Sequence, residues 1–236
     1  MPTHSSTIIY EPRDNIAVIR FDDGKVNAMA RPFFDGLNAA LDRAEQDKPG
    51  AVILTGRPGF FSAGLDLKVL PTLAPDDMRA ILVAFGRTML RVFTFPLPTV
   101  AAVTGHAIAG GAMLMLACDL RYVAAGPFKL HLNEVAIGLN LPTFAIVIAE
   151  KAIPVRWHTE ALLHARPYAP DEALGRGMID GLAPPGELLE TVLQAATPLA
   201  ALDQKSYATT KTRQRAMQVR WAADLIETEM VGLPRR

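Results

Sequence analysis

Two glycine-bearing segments are placed where backbone amides could do chemistry. The first, Gly56-Arg57-Pro58-Gly59-Phe60-Phe61-Ser62-Ala63-Gly64-Leu65-Asp66-Leu67-Lys68, follows the apolar run 51–55. The second, Thr104-Gly105-His106-Ala107-Ile108-Ala109-Gly110-Gly111, follows the run 100–103. Glycine permits tight turns and lets a ligand approach main-chain N–H groups closely. The second segment also leads into an apolar run read as a helix, whose first amides carry partial positive charge. One exposed N–H from each loop would stabilise negative charge developing on a carbonyl oxygen, where loss of a single donor costs about 3 kcal/mol. Taken alone, each loop reads equally well as a close strand-to-helix turn.

Competing chemistries fail on spacing. No Gly-Lys-Ser/Thr is present for a phosphate loop, and Gly105 and Gly110 lack the intermediate glycine of a dinucleotide fingerprint. Ser62 has glycines three residues before it and two after, whereas a nucleophile elbow needs two on each side. No His, Cys or carboxylate cluster has metal spacing around His106 or His131, so both read as packed or hydrogen-bonded histidines. His158 and His164, six apart in an expected helix, fall on different faces. Met113 and Met115 read as core or pocket lining. Asp119 reads as a cap or pairing group at the end of the apolar helix. Lys205, Lys211, Arg213, Arg215 and Arg220 form a basic region expected to be a solvated helix face.

The elements that must position these loops follow from periodicity. A strand is predicted over 16–21, closed by the turn Asp22-Asp23-Gly24, and a helix over 33–44 with apolar residues at 33, 34, 37, 41 and 44. Pro49-Gly50 breaks the chain before a strand over 51–55. A second helix runs from Met78 to Phe93, with Pro75-Asp76-Asp77 at its start and Pro96 and Pro98 beyond its end. Strands over 100–103 and 120–123 flank a helix over 110–118 that is apolar on every side, as enclosed helices are. This alternation predicts an α/β fold with largely parallel pairing. Beyond Thr143 helices are expected over 143–152, 156–164, 171–177, 187–200 and 215–230, dividing the chain into a core over 1–185 and a C-terminal helical region over 186–236.

Composition bounds the partners. Half of the 236 residues are apolar, enough for one substantial core. Lys and Arg number 24 against 24 Asp and Glu, which gives no electrostatic reason to expect nucleic acid or an anionic membrane as partner. The one cysteine, Cys118, fits a reducing compartment, and Met1 to Ser6 is unlike a signal peptide, so a cytoplasmic location is expected. The stretch from His106 to Cys118 is too short to span a bilayer.

Phe61-Ser62-Ala63-Gly64-Leu65-Asp66-Leu67-Lys68 resembles the first oxyanion loop of the crotonase (enoyl-CoA hydratase/isomerase) superfamily. Ala101-Ala102-Val103-Thr104-Gly105-His106-Ala107-Ile108-Ala109-Gly110-Gly111-Ala112 resembles its second motif. The segments 168–174 and 177–180 are similar to the family's post-core region. The resemblance implies a spiral of repeated ββα units with a C-terminal helical trimerisation region, assembling as trimers or dimers of trimers. It places the oxyanion donors on the amides of Ala63 and Gly110. It places the adenine and pantetheine end of CoA near Ala28, Ala63, Gly64, Leu65, Asp66 and Leu67, with Lys68 a weaker candidate and Gly110 and Met113 also touching substrate. Coenzyme A enters only as part of the substrate; no metal or redox cofactor is implied.

Hydratases of the family use two glutamates. The position of the first, three residues after Gly110, holds Met113, and the second falls on Glu134 in Leu132-Asn133-Glu134, a segment similar to that of mitochondrial-type 3,2-enoyl-CoA isomerases. One carboxylate suffices to move a proton from the α to the γ carbon of an enoyl thioester, whereas hydration asks for a positioned water that Met113 cannot hold. An apolar setting would raise the Glu134 pKa towards that of a useful base. Isomerisation of 3-enoyl-CoA is therefore the leading expectation, with Glu134 as the shuttle. Hydration of 2-enoyl-CoA, thioester hydrolysis and non-catalytic acyl-CoA binding stand as alternatives. Three departures from the family, Ala109 for a glycine, Met113 for a glutamate and Pro142-Thr143-Phe144 for a glycine-rich turn, weigh against hydration more than against CoA binding.

Overall fold

A computed structural model describes residues 7–231. Four successive units place one strand in a large sheet, then short strand pieces in a smaller one, then a helix. The first is β2 (Ile16–Asp22), β3 (Ala28–Met29) and α1 (Arg31–Asp47). The second is β4 (Ala51–Thr55), β5 (Gly59–Ser62), β6 (Gly64–Leu65) and α2 (Pro75–Phe93). The third is β7 (Thr99–Val103), β8 (Gly105–Ile108) and α3 (Gly110–Ala117). The fourth is β9 (Leu120–Ala124), β10 (Leu130–His131) and, after a turn at Val135–Ile137, α4 (Thr143–Ala152). Before them lies β1 (Thr7–Arg13), and after them α5 (Pro170–Gly175), β11 (Gly181–Ala183), α6 (Leu188–Ala200) and α7 (Gln204–Glu229). The spiral of ββα units is thus the observed architecture.

The six-stranded sheet has the order β1-β2-β4-β7-β9-β11, parallel throughout except for β1, which runs antiparallel to β2. Because side chains alternate along a strand, β2, β4 and β7 feed two cores. Ala17, Ile19, Val52, Leu54, Ala101 and Val103 face α1 to α4, whereas Ile16, Val18, Ala51, Ile53, Val100 and Ala102 face Leu188, Val192, Ala196 and Ala200 of α6. The division expected at residue 186 therefore falls just ahead of a helix that covers one face of the main sheet. A second sheet, β10-β8-β5, and the pair β3-β6, all parallel, carry the loops of interest.

Several expected boundaries shift. β1 has no counterpart in the sequence reading. The helix expected from 215 begins at Gln204, where the Asp203 carboxylate accepts the Ser206 N–H at 2.7 Å as an N-cap. The stretch expected to be helical over 156–164 is a 3₁₀ turn at Val155–Trp157 followed by one wide turn at Thr159–Leu163. The basic region of α7 is also not uniformly solvated. Lys205, Arg213 and Arg220 are exposed, but Lys211 is buried, its Nζ donating to Asp119 Oδ2 at 2.6 Å, and Arg215 donates to Asp119 Oδ1 at 2.9 Å. Asp119, at the end of α3, also accepts the Thr99 N–H and hydroxyl, tying α7 to the sheet. Among the described residues no helix is long and apolar enough to cross a membrane.

Candidate active site

The first loop is clamped from below by Asn27, whose backbone takes a left-handed φ of 52°. Its Nδ2 donates to the carbonyls of Phe21 and Phe61, and its own carbonyl accepts the Ser62 hydroxyl at 2.7 Å. The same Ser62 oxygen accepts the Gly64 N–H. These bonds fix the strand piece β6 beside β3.

That fixing decides which amide is presented to a ligand. The Ala63 N–H donates to the Val26 carbonyl at 3.0 Å, so the donor expected from the sequence is occupied. In the parallel pairing of β3 with β6, Met29 lies opposite Leu65 and its carbonyl accepts the Asp66 N–H at 3.1 Å. In such a pair only one partner bonds to the residues flanking the other, and here that partner is Met29. The Leu65 N–H and carbonyl accordingly point away from β3, and Leu65 lines the adjoining cavity. The amide left unbonded by β3 is therefore that of Leu65, two residues beyond Ala63, a shift set by the alternation of a strand.

The second loop brings Gly110 to the cavity wall. Gly110 is the first residue of α3, so its N–H has no partner within the helix. The neighbouring Ala109 N–H donates to the His131 carbonyl at 2.7 Å, and Ala109 holds a φ of 51° and ψ of −121°, a conformation that favours glycine. The two loops touch: a Cβ placed on Gly64, whose φ is +82°, would lie 2.7 Å from the Gly110 nitrogen.

Glu134 stands at the head of the 3₁₀ turn after β10. Its carbonyl accepts the N–H groups of Ile137 and Leu139, closing the loop on itself. The side chain is only 6% exposed, and Oε2 is buried without a hydrogen-bond partner. Burial pushes its pKa up to about 7. A carboxylic acid poised near neutrality with a free oxygen in a cavity has the properties of a general base.

A cavity of about 180 Å³ joins these groups. Ala63, Leu65, Leu67, Gly110, Met113 and Glu134 of the expected site line it; Ala28, Gly64 and Asp66 do not. Ala28 and Gly64 lie opposite one another in the β3–β6 pair, and the Asp66 carboxylate accepts the N–H groups of Lys68 and Val69, making the turn that carries exposed Leu67 and Lys68 outward. Leu82 and Phe85 of α2, Asn133, and Glu229 and Met230 at the end of α7 complete much of the wall. None of these five was expected. A helix pattern marks Leu82 and Phe85 as buried without saying against what, and nothing local connects Glu229 to residues almost a hundred positions earlier. His106 and His131 are structural. His106 Nδ1 accepts the Lys129 N–H between the rings of Phe60 and Phe128, and His131 Nε2 lies 2.6 Å from the Ala165 carbonyl.

Comparison with known proteins agrees with this geometry. The family model described as enoyl-CoA hydratase/isomerase matches residues 11–230. Human mitochondrial enoyl-CoA delta isomerase 1 is 31% identical over 216 residues, covering 89% of this chain and 72% of its own length. An enoyl-CoA isomerase structure from Mycobacterium tuberculosis superposes with a TM-score of 0.88 at 37% identity, covering 95% of this chain and 99% of the other. An enoyl-CoA hydratase structure, EchA3 from Mycobacterium ulcerans, gives 0.88 at 36% identity, covering 94% and 98%.

Proposed function

Because the chain belongs to the enoyl-CoA hydratase/isomerase family, and is thus an enzyme of the crotonase superfamily, we propose that it converts 3-enoyl-CoA thioesters to 2-enoyl-CoA thioesters. The observation that carries this reading is the partnerless carboxylate oxygen of Glu134 in a cavity that Met113, where hydratases of the family have a glutamate, also lines. The thioester carbonyl lies between the Leu65 and Gly110 amides. Glu134 removes a proton from the α carbon, the electron pair delocalises through the β,γ double bond into a dienolate, and the negative oxygen is held by the two N–H groups. The protonated Glu134 then returns the proton to the γ carbon, leaving the double bond between α and β. No water is consumed and the carboxylate is regenerated.

Hydration of 2-enoyl-CoA is the second reading, favoured by one observation: Asn133, beside Glu134, also lines the cavity and has a buried Oδ1 without a partner, so a second polar group able to hold water is present. Turnover of a 3-enoyl-CoA and a 2-enoyl-CoA by wild type and Glu134→Gln, with products resolved by mass, separates the readings. The isomerase reading expects a 3-enoyl substrate to change without gaining mass, and Glu134→Gln to lose that activity. A product heavier by one water, from either substrate, replaces it with hydration. Assembly as a trimer or dimer of trimers belongs to the same proposal, supported by the exposed Met217 and Trp221 on α7, and light scattering in solution tests it.

A further inference from the structure

The end of α7 brings a second carboxylate to the cavity wall. Glu229 Oε2 accepts the Thr143 N–H at 2.7 Å and Oε1 accepts the Thr143 hydroxyl at 2.5 Å. Thr143 is the first residue of α4 and is 8% exposed. The two hydrogen bonds hold the Glu229 carboxylate in place at the head of a ten-residue helix. Among the described residues no Lys, Arg or His forms an ion pair with it. Leu82, Phe85, Ile137, Leu139, Pro142 and Met230 make much of the remaining wall apolar, with Asn133 and Asn140 among its polar members. Thr143 lies in the Pro142-Thr143-Phe144 departure from the family's usual glycine-rich turn, so the altered turn and the carboxylate that fills it belong to one local arrangement.

We propose that Glu229 is a specificity-determining residue that reads the charge of the acyl group, admitting uncharged chains and rejecting those that end in a carboxylate. A terminal carboxylate entering this pocket would meet the negative charge of a carboxylate held in place by Thr143, and like-charge juxtaposition is an effective way to exclude a wrong ligand. The apolar wall around Glu229 serves hydrocarbon equally well with or without that charge, so neutral acyl groups are little affected by its removal.

The inference rests on the acyl-CoA reading above, and binding of unreactive ligands tests the two separately. The probes are saturated thioesters matched in length, butyryl-CoA against succinyl-CoA and hexanoyl-CoA against adipoyl-CoA, titrated calorimetrically. Wild type is expected to prefer the monoacid by about tenfold or more. Glu229→Gln, which keeps the shape, should bring the ratio to within about threefold, chiefly by tightening the diacid. Thr143→Val removes one hydrogen bond but leaves the charge, and should keep the preference. An unchanged ratio in Glu229→Gln, an absent preference in wild type, or an equal loss in Thr143→Val overturns the proposal while the acyl-CoA reading stands. Failure of wild type to bind any of the four removes both.

Discussion

Gly64 and Gly110 meet backbone to backbone: a single methyl on Gly64 would sit 2.7 Å from the Gly110 nitrogen and 2.9 Å from the Ile108 carbonyl oxygen. Separated by more than forty residues, they hold the Leu65 and Gly110 amides in one place. Gly64→Ala must displace one loop and also strain a φ of +82°. The expected cost is about 2–4 kcal/mol of stability, read from urea unfolding. Under conditions where the variant stays folded by circular dichroism, turnover should fall by about 10²–10³, the loss typical of one oxyanion donor. An Ala variant with full activity would mean that these two amides do not act together.

Ala109 offers the opposite experiment. Its φ of 51° and ψ of −121° strain any residue with a Cβ, a cost on the order of 1–3 kcal/mol. Ala109→Gly relieves that strain but returns roughly 0.5–1 kcal/mol through the greater freedom of glycine in the unfolded chain. A net gain of about 1 kcal/mol is expected, with the urea midpoint rising at constant slope. A lower midpoint would mean that the Ala109 methyl contributes packing worth more than the strain.

Periodicity carried most of the large elements. The apolar positions 33, 34, 37, 41 and 44 are the buried face of α1, and the run 51–55 is β4. The family resemblance pointed to Gly110 and Glu134, which both line the cavity, because each belongs to a contiguous segment. The choice between the Ala63 and Leu65 amides was not legible there, since it depends on which side of a two-residue strand faces Met29. The inward turn of Lys211 was equally hidden. It sits among polar residues and looks solvated until α7 is laid against Asp119, and that contact is set by tertiary packing.

That contact makes a testable demand on stability. Burial alone would raise the Asp119 pKa, but the charges of Lys211 and Arg215, with the hydrogen bonds from Lys211 and Thr99, outweigh it and hold it below the usual carboxylate range. A depressed pKa contributes stability that is present above the unfolded value and is lost as pH falls through the folded one. Asp119→Asn leaves two inward cations without their counter-charge and should cost about 3–5 kcal/mol at neutral pH. The gap to wild type should narrow as acid titrates the carboxylate, which chemical denaturation at a series of pH values would show. A gap that does not change with acid would place the stabilisation in packing and not in the ion pair.

Glu134 carries the opposite sign. Its carboxyl is raised from 4.5 to about 7 by burial, so the folded state holds its proton more tightly than the unfolded chain does. The favourable contribution is whole below about 4.5 and is lost as pH rises through about 7. Above that pH the buried charge costs on the order of 3 kcal/mol. Glu134→Gln should therefore be more stable than wild type at pH 8 and lose that advantage near pH 4.5. Activity should run the other way. A base must be ionised, so kcat/KM for the isomerisation should climb with pH and level off above an apparent pKa near 7 in the free enzyme. If the stability difference follows this course while the rate shows no ionisation near neutrality, Glu134 is buried but is not the base, and the proton shuttle must be sought elsewhere in the cavity.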